Sequence, residues 1–153
     1  MEINQEFKNA LFEKVLSLQS EKLLAFGVEI NSNRENLGSA TKSSAGDKHE
    51  TGRAMLQLEQ EKLGKSYAEA EKIMQLLLRV VIEKTYAQIK VGCLFKTEQG
   101  LFLLAASFGK IRFEEQDVFV LGPSAPISQA LLRKSVGDEI EWQGKRICIS
   151  AVL

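Results

Sequence analysis

Through the first half of the chain, apolar residues recur every three or four positions. Phe12, Leu16, Gln19, Leu23, Phe26, Ile30, Asn33 and Leu37 alternate spacings of four and three, the heptad pattern of a supercoiled helix. Leu56, Gln60, Leu63, Tyr67, Ala70, Met74, Leu77 and Val81 repeat it. Folded antiparallel, Leu37 meets Leu56, Asn33 meets Gln60, Ile30 meets Leu63, Phe26 meets Tyr67, Leu23 meets Ala70 and Leu16 meets Leu77. All these pairs share one midpoint, between residues 46 and 47. The polar residues Asn33 and Gln60 share a layer, where hydrogen bonding would fix the register at some cost in stability. Gln19 opposite Met74 is the weakest layer. The other reading of the same pattern is two amphipathic helices packed on a globular core.

The spacing predicts a first helix from about Asn4 to Leu37, with room for a bend at Gly27. Fraying is expected in Asn31-Ser32-Asn33-Arg34-Glu35-Asn36, which is poor helix sequence. Leu11, Val15 and Leu18 form a second apolar stripe near its base, which the later part of the chain must cover. A second helix is expected from about Asp47 to Thr85. Between the helices, residues 39–53 are small and polar and read as the tip of a hairpin. A seam from residue 12 to residue 37 would reach about 40 Å at about 1.5 Å per residue.

Beyond Lys84 the period changes to two. Strands are expected at 89–95, 101–106, 117–121, 139–142 and 146–152, with turns at Thr97-Glu98-Gln99-Gly100 and Gln143-Gly144-Lys145. Residues 124–134, with Pro126 near the start and Ile127, Ala130, Leu131 and Leu132 inside, read as a short amphipathic helix. The expected class is therefore α+β. A coiled-coil hairpin over 1–84, with its tip near 38–55, precedes a small antiparallel sheet domain with one short helix over 85–153.

Composition narrows the function. In 153 residues, 20 Lys and Arg balance 20 Asp and Glu, which gives no support for wholesale binding of nucleic acid or an anionic membrane. Cys93 and Cys148 lie far apart, and with one histidine they build no credible zinc site; they read as reduced thiols of a cytosolic protein. The first residues lack a basic and apolar leader pattern, and the longest apolar run, 76–82, is too short to span a bilayer. A Ser-His or Cys-His nucleophile in the sheet domain is close to excluded, because the single histidine, His49, lies at the tip and reads there as a solvated residue. Phe95, Phe102, Phe108, Phe113, Phe119 and Trp142 read as core. A prolyl-isomerase pocket lined by them is the enzymatic alternative.

Two motifs carry a resemblance. Gly46-Asp47-Lys48-His49-Glu50 at the tip is similar to the Gly-Asp-Leu-x-Glu of the bacterial Gre transcript cleavage factors. Residues 124–140, Ser124-Ala125-Pro126-Ile127 through Val136-Gly137-Asp138-Glu139-Ile140, resemble that family's Ser-Pro-Ile-Gly-x-Ala-Leu-Ile-Gly-Lys-x-Val-Gly-Asp-x-Val. One residue is inserted, and the family's glycines are replaced at 128 and 133. The resemblance implies an FKBP-like sheet domain that docks on RNA polymerase, with Ser124, Pro126 and Ile127 at the docking surface. It implies a hairpin that enters the polymerase's secondary channel. Asp47 and Glu50 would there help to hold a second Mg²⁺ and the attacking water, so that the polymerase cuts the nascent RNA 3′ end of a backtracked complex.

On that reading the chain is a monomeric cytoplasmic transcription elongation factor with no cofactor of its own and no independent enzymatic activity. Lys42, Lys48 and Arg53, with Lys62 and Lys65, are candidates for contact with RNA or polymerase; a solvated helix face explains the same charges. Asp47 and Glu50 also fit a helix cap, in which their oxygens would satisfy orphan backbone donors. After Glu50 the family continues Asn-Ala-Glu-Tyr, whereas Thr51-Gly52-Arg53-Ala54 stands here. That departure admits a second reading, a regulator that occupies the channel without cutting.

Overall fold

In a computed structural model, residues 3–42 and 47–153 are described, apart from the side chains of 40–42 and 47–49. The elements are α1 (Gln5–Lys42), α2 (Asp47–Leu78), β1 (Leu94–Thr97), β2 (Gly100–Leu104), β3 (Gly109–Phe113), β4 (Gln116–Leu121), α3 (Pro126–Leu131), β5 (Glu139–Trp142) and β6 (Lys145–Val152). Packing divides the chain into one unit of Ser17–Met74 and another of Met1–Leu16 with Gln75–Leu153. Residues 3–16 and 75–84, assigned to the hairpin from sequence, thus pack in the same unit as the sheet. No described helix is long and apolar enough to cross a membrane.

Within Ser17–Met74 the two helices form the predicted Asn33–Gln60 layer. Asn33 is buried, and its Nδ2 donates to Gln60 Oε1 at 2.8 Å and to the Leu56 carbonyl at 2.9 Å. Leu63 and Ala70 are buried, while Leu23, Phe26, Ile30, Leu37, Leu56, Tyr67 and Met74 are half-buried, as expected for a seam covered by only one partner helix. Gln19 is buried beside small Ala70, and its Nε2 donates to the Ala70 carbonyl at 2.7 Å. Gln19, expected opposite Met74, thus bonds one turn earlier in α2. Helix α1 runs unbroken through Gly27 and through 31–36 to Lys42, five residues past its expected end. Tertiary pairing through Asn33 overrides the low local propensity of that stretch.

In the other unit, α1 opens on Asn4, whose Oδ1 accepts the Phe7 N–H at 2.8 Å as a helix N-cap. Leu11 and Val15 of the second stripe are fully buried, as is Leu77, and Phe7 meets the Phe113 ring edge-on at 5.3 Å. Helix α2 stops at Leu78 rather than Thr85, closed by i to i−3 bonds from Arg79 to Leu76 and from Val80 to Leu77. The β-branched run Val80-Val81-Ile82 resists continuation. Val81, expected in the seam, is half-exposed beyond the helix. The chain then turns back so closely that a Cβ at Gly92, whose φ is +98°, would collide with the Val81 carbonyl. Only glycine suits that position.

Lys8 was not foreseen as a buried residue. Its Nζ donates to the Lys84 carbonyl at 2.8 Å and the Leu153 carbonyl at 3.1 Å, and lies 5.0 Å from the Tyr86 ring centre. Charge-assisted bonds contribute about 1.5–3 kcal/mol each, against a desolvation cost of several kcal/mol for the ion. Desolvation holds the Lys8 ammonium below its ordinary pKa, opposed in part by the attraction of Cys93. Burial likewise pushes the Cys93 thiol up. Both cysteines are free.

The sheet has six strands in the order β3-β4-β2-β1-β6-β5. It is mixed, which corrects the antiparallel expectation: β2 and β4 pair in parallel, Leu101 with Val118 through Leu104 with Leu121. The cause is β3, a strand missing from the sequence reading. It reverses the chain once, and the β3–β4 hairpin reverses it again, so β4 re-enters alongside β2 in the same direction. The turn of that hairpin is Glu114-Glu115, with φ of 47° and 65°, a left-handed pair made without glycine or asparagine. The anticipated turn at Gln143-Gly144 has the same form, with φ of 49° and 76°.

The first strand begins at Leu94, later than expected. Ile89 instead ties its loop to the exit of α3, donating to the Lys134 carbonyl and accepting from Arg133 N–H, both at 2.8 Å. The core stacks Phe95 on Phe102 and Phe102 on Phe119, each at 5.2 Å, with Ile89, Cys93, Leu104, Leu131 and Ile149 around them.

Two stability predictions follow from this packing. Asn33→Ala is expected to lower unfolding free energy by about 1–2 kcal/mol, because it strands the Gln60 amide, as denaturant melts will measure. Arg133 occupies left-handed backbone, φ 69°, where the resembled family has glycine. Arg133→Gly is expected to raise stability by about 0.5–1 kcal/mol in the same melts; a loss would show that the arginine side chain outweighs the strain.

Candidate functional site

The Asn33–Gln60 bond sets where the two helices converge. Helix α1 ends at Lys42 and α2 begins at Asp47, so the expected fold point, between 46 and 47, falls where the second helix starts. Residues 43–46 lie outside the described residues, as do the side chains of Lys42, Asp47, Lys48 and His49. The backbone therefore places Asp47 as the first residue of α2 and Glu50 three residues on, and residues three apart share a helix face.

From Glu50 onward the side chains are described. Glu50, Thr51, Gly52, Arg53 and Ala54 are all exposed. Neither the Glu50 carboxylate nor the Arg53 guanidinium has a hydrogen-bond or ion-pair partner among the described residues. Lys62 and Lys65, further along α2, are exposed as well. An exposed carboxylate without a partner keeps its oxygens available to a hard cation, as a Mg²⁺ contact requires. Among the described residues no three or more His, Cys, Asp or Glu side chains gather into a metal cluster.

The second motif folds at the start of α3. Ala125 is extended, Pro126 takes the first helical position, and Ile127 packs against the aromatic core. Proline costs nothing there, since that N–H would be unpaired in any case. Ser124 and Pro126 are exposed. Gln129 Nε2 donates to the Pro123 carbonyl at 2.6 Å, and a Cβ on Gly122 would lie 2.7 Å from Ser107 Oγ, so the loop is pinned from both sides. Beside it opens a largely apolar cavity of about 380 Å³, lined in part by Leu76, Arg79, Val80, Val91, Pro123 and Ser124.

Arg79 is exposed and unpaired among the described residues. The sequence reading missed this cavity and its cation. The available signal was a lone arginine inside the apolar run 76–82. A cavity of about 480 Å³ elsewhere on this unit, like that of about 380 Å³, is lined by no aromatic side chain. Phe95, Phe102 and Phe119 stack on one another in the core instead.

No family model matches the chain, and no curated protein sequence matches it. A solved structure of the transcription factor Gfh1 is similar over 84% of this chain and 90% of that one, at 20% identity and a TM-score of 0.30.

Because Glu50 and Arg53 are exposed and unpaired, Glu50→Gln and Arg53→Gln are each expected to change unfolding free energy by no more than about 0.5 kcal/mol. A larger loss in denaturant melts would reveal a structural contact at the tip.

Proposed function

We propose that the protein is a Gre-like transcription elongation factor that enters the secondary channel of RNA polymerase and stimulates cleavage of backtracked transcripts. The observation that carries this reading is the hairpin register. The hydrogen-bonded Asn33–Gln60 layer brings the chain reversal to the start of α2, where the family-like acids Asp47 and Glu50 stand. The 124–140 motif adds support, since Ser124, Pro126 and Ile127 sit together at the head of α3 beside an apolar cavity.

On this reading, Asp47 and Glu50 each offer carboxylate oxygens to a Mg²⁺ held mainly by the polymerase. Such an ion would supply charge stabilisation to the attacking and the leaving oxygen. The factor's own part is to bind, to orient those carboxylates and to fill the channel. Lys42, Lys48 and Arg53 would meet RNA phosphates or polymerase, and Ser124, Pro126 and Ile127 would dock on the polymerase near the channel mouth. The protein has no turnover of its own and acts as a cytoplasmic monomer.

A second reading keeps the channel and drops the cleavage. It is favoured by Arg53, an exposed cation one helical turn after Glu50 where the family has a further acid.

RNA release from a stalled, backtracked elongation complex separates the two. The proposal expects Asp47→Asn with Glu50→Gln to lower stimulated release at least about tenfold while polymerase binding persists. Equal release by wild type and double mutant, with both bound, would remove the catalytic role and leave the non-cleaving regulator.

A further inference from the structure

The cavity beside Ser124 combines an apolar lining with a single charge. Leu76, Val80, Val91 and Pro123 give it apolar surface, and Arg79 is the one charged residue that lines it among the described residues. Ala105, Ala106 and Gly122 add little bulk to the lining. Leu76 and Val91 are exposed.

Arg79 has no acid beside it in this setting. The residues that line the cavity, with two on either side of each along the chain, include no Asp or Glu. The exposed guanidinium has no hydrogen-bond or ion-pair partner among the described residues. The end of α2 works against an anion here, because its last carbonyls together amount to about half a negative charge. Two of them, those of Leu76 and Leu77, are taken by the N–H groups of Arg79 and Val80 at 3.2 and 3.1 Å. The full charge of Arg79 outweighs what is left.

Size limits the occupant. At about 30 Å³ for each water-sized group, a cavity of about 380 Å³ holds roughly a dozen. That is too few for a nucleotide or a long-chain lipid, and one cation is a poor match for several phosphates. It suits a compact apolar body with one anionic end. An apolar pocket with a few polar anchors is the ordinary form of a small-molecule site.

We propose that this cavity binds a small apolar monocarboxylate, its body against Leu76, Val80 and Val91 and its carboxylate on the Arg79 guanidinium. The hydroxyls of Ser107 and Ser124, both exposed, are further donors to the same head group. The site is independent of the tip acids and of transcript cleavage.

The experiment titrates the isotope-labelled full chain with phenylpropionate and with its neutral analogue phenylpropionamide, and follows the backbone amide resonances. Wild type is expected to bind the acid with a dissociation constant on the order of 1 mM, with saturable shifts centred on Val80, Val91, Ser107 and Gly122. Exposed ion pairs contribute up to about fivefold in affinity, and charge-assisted hydrogen bonds about tenfold or more. An exposed guanidinium beside apolar surface falls between, so the amide should bind about five- to tenfold more weakly than the acid. Arg79→Gln should weaken the acid by the same factor and leave the amide within about twofold. A merely structural loss would weaken both ligands alike.

No saturation at these residues by ten times the expected concentration would overturn the proposal. So would equal affinity for acid and amide, or an unchanged acid affinity in Arg79→Gln. Saturation of the same residues by the peptide acetyl-Leu-Glu-Leu-amide, with no response to phenylpropionate, would assign the cavity to an acidic partner chain and overturn it too.

Discussion

One polar layer determines how the two long helices meet. A seam made only of leucine, isoleucine and phenylalanine would tolerate sliding by a heptad, because each layer would still bury apolar surface. Asn33 and Gln60 remove that freedom. Slipped one way, Asn33 would face Tyr67 and Gln60 would face Ala40; slipped the other way, they would face Arg53 and Phe26. Either slip sets the Gln60 amide against Ala40 or Phe26, which offer it no side-chain partner, at about 1–3 kcal/mol for the lost group. The native register satisfies both through a 2.8 Å bond and adds a second donor contact to the Leu56 carbonyl. Which residues end up at the reversal, and therefore which acids stand at the start of α2, follows from this one pairing.

What was legible in the sequence was whatever depends on period and on local chemistry. The seam, its polar layer and the proline-headed α3 are of that kind, as is the Gln143-Gly144 turn. What stayed hidden depends on long-range contacts or on unusual residues in a familiar role. Strand β3 escaped because its turn is made by Glu114 and Glu115, which carry no glycine or asparagine signal, and with β3 went the parallel β2–β4 pair. The end of α2 escaped because the apolar run 76–82 reads equally as helix and as strand. Lys8 escaped because nothing local marks a lysine whose partners are the Lys84 and Leu153 carbonyls, distant in sequence.

The candidate site divides along the same line. Asp47 and Glu50 were found from motif and spacing, and the backbone places both at the start of α2. Arg53 was visible as a departure from the family pattern. Its exposure on α2 emerged only with the fold. Arg79 and the apolar cavity beside Ser124 required the fold of the 79–92 loop. The candidate residues are thus visible in short motifs, while their surroundings are a property of how the helices and loops pack.

The most direct test of the account is where the tip lies when the factor is bound. Gly52 is exposed in α2, and a side chain grown from it meets no atom within 4 Å, so a photoreactive residue there should not disturb the fold. In a backtracked polymerase complex, illumination is expected to join position 52 to the RNA 3′ end. Cross-links confined to the outer surface of the polymerase, in complexes that form normally, would contradict the account.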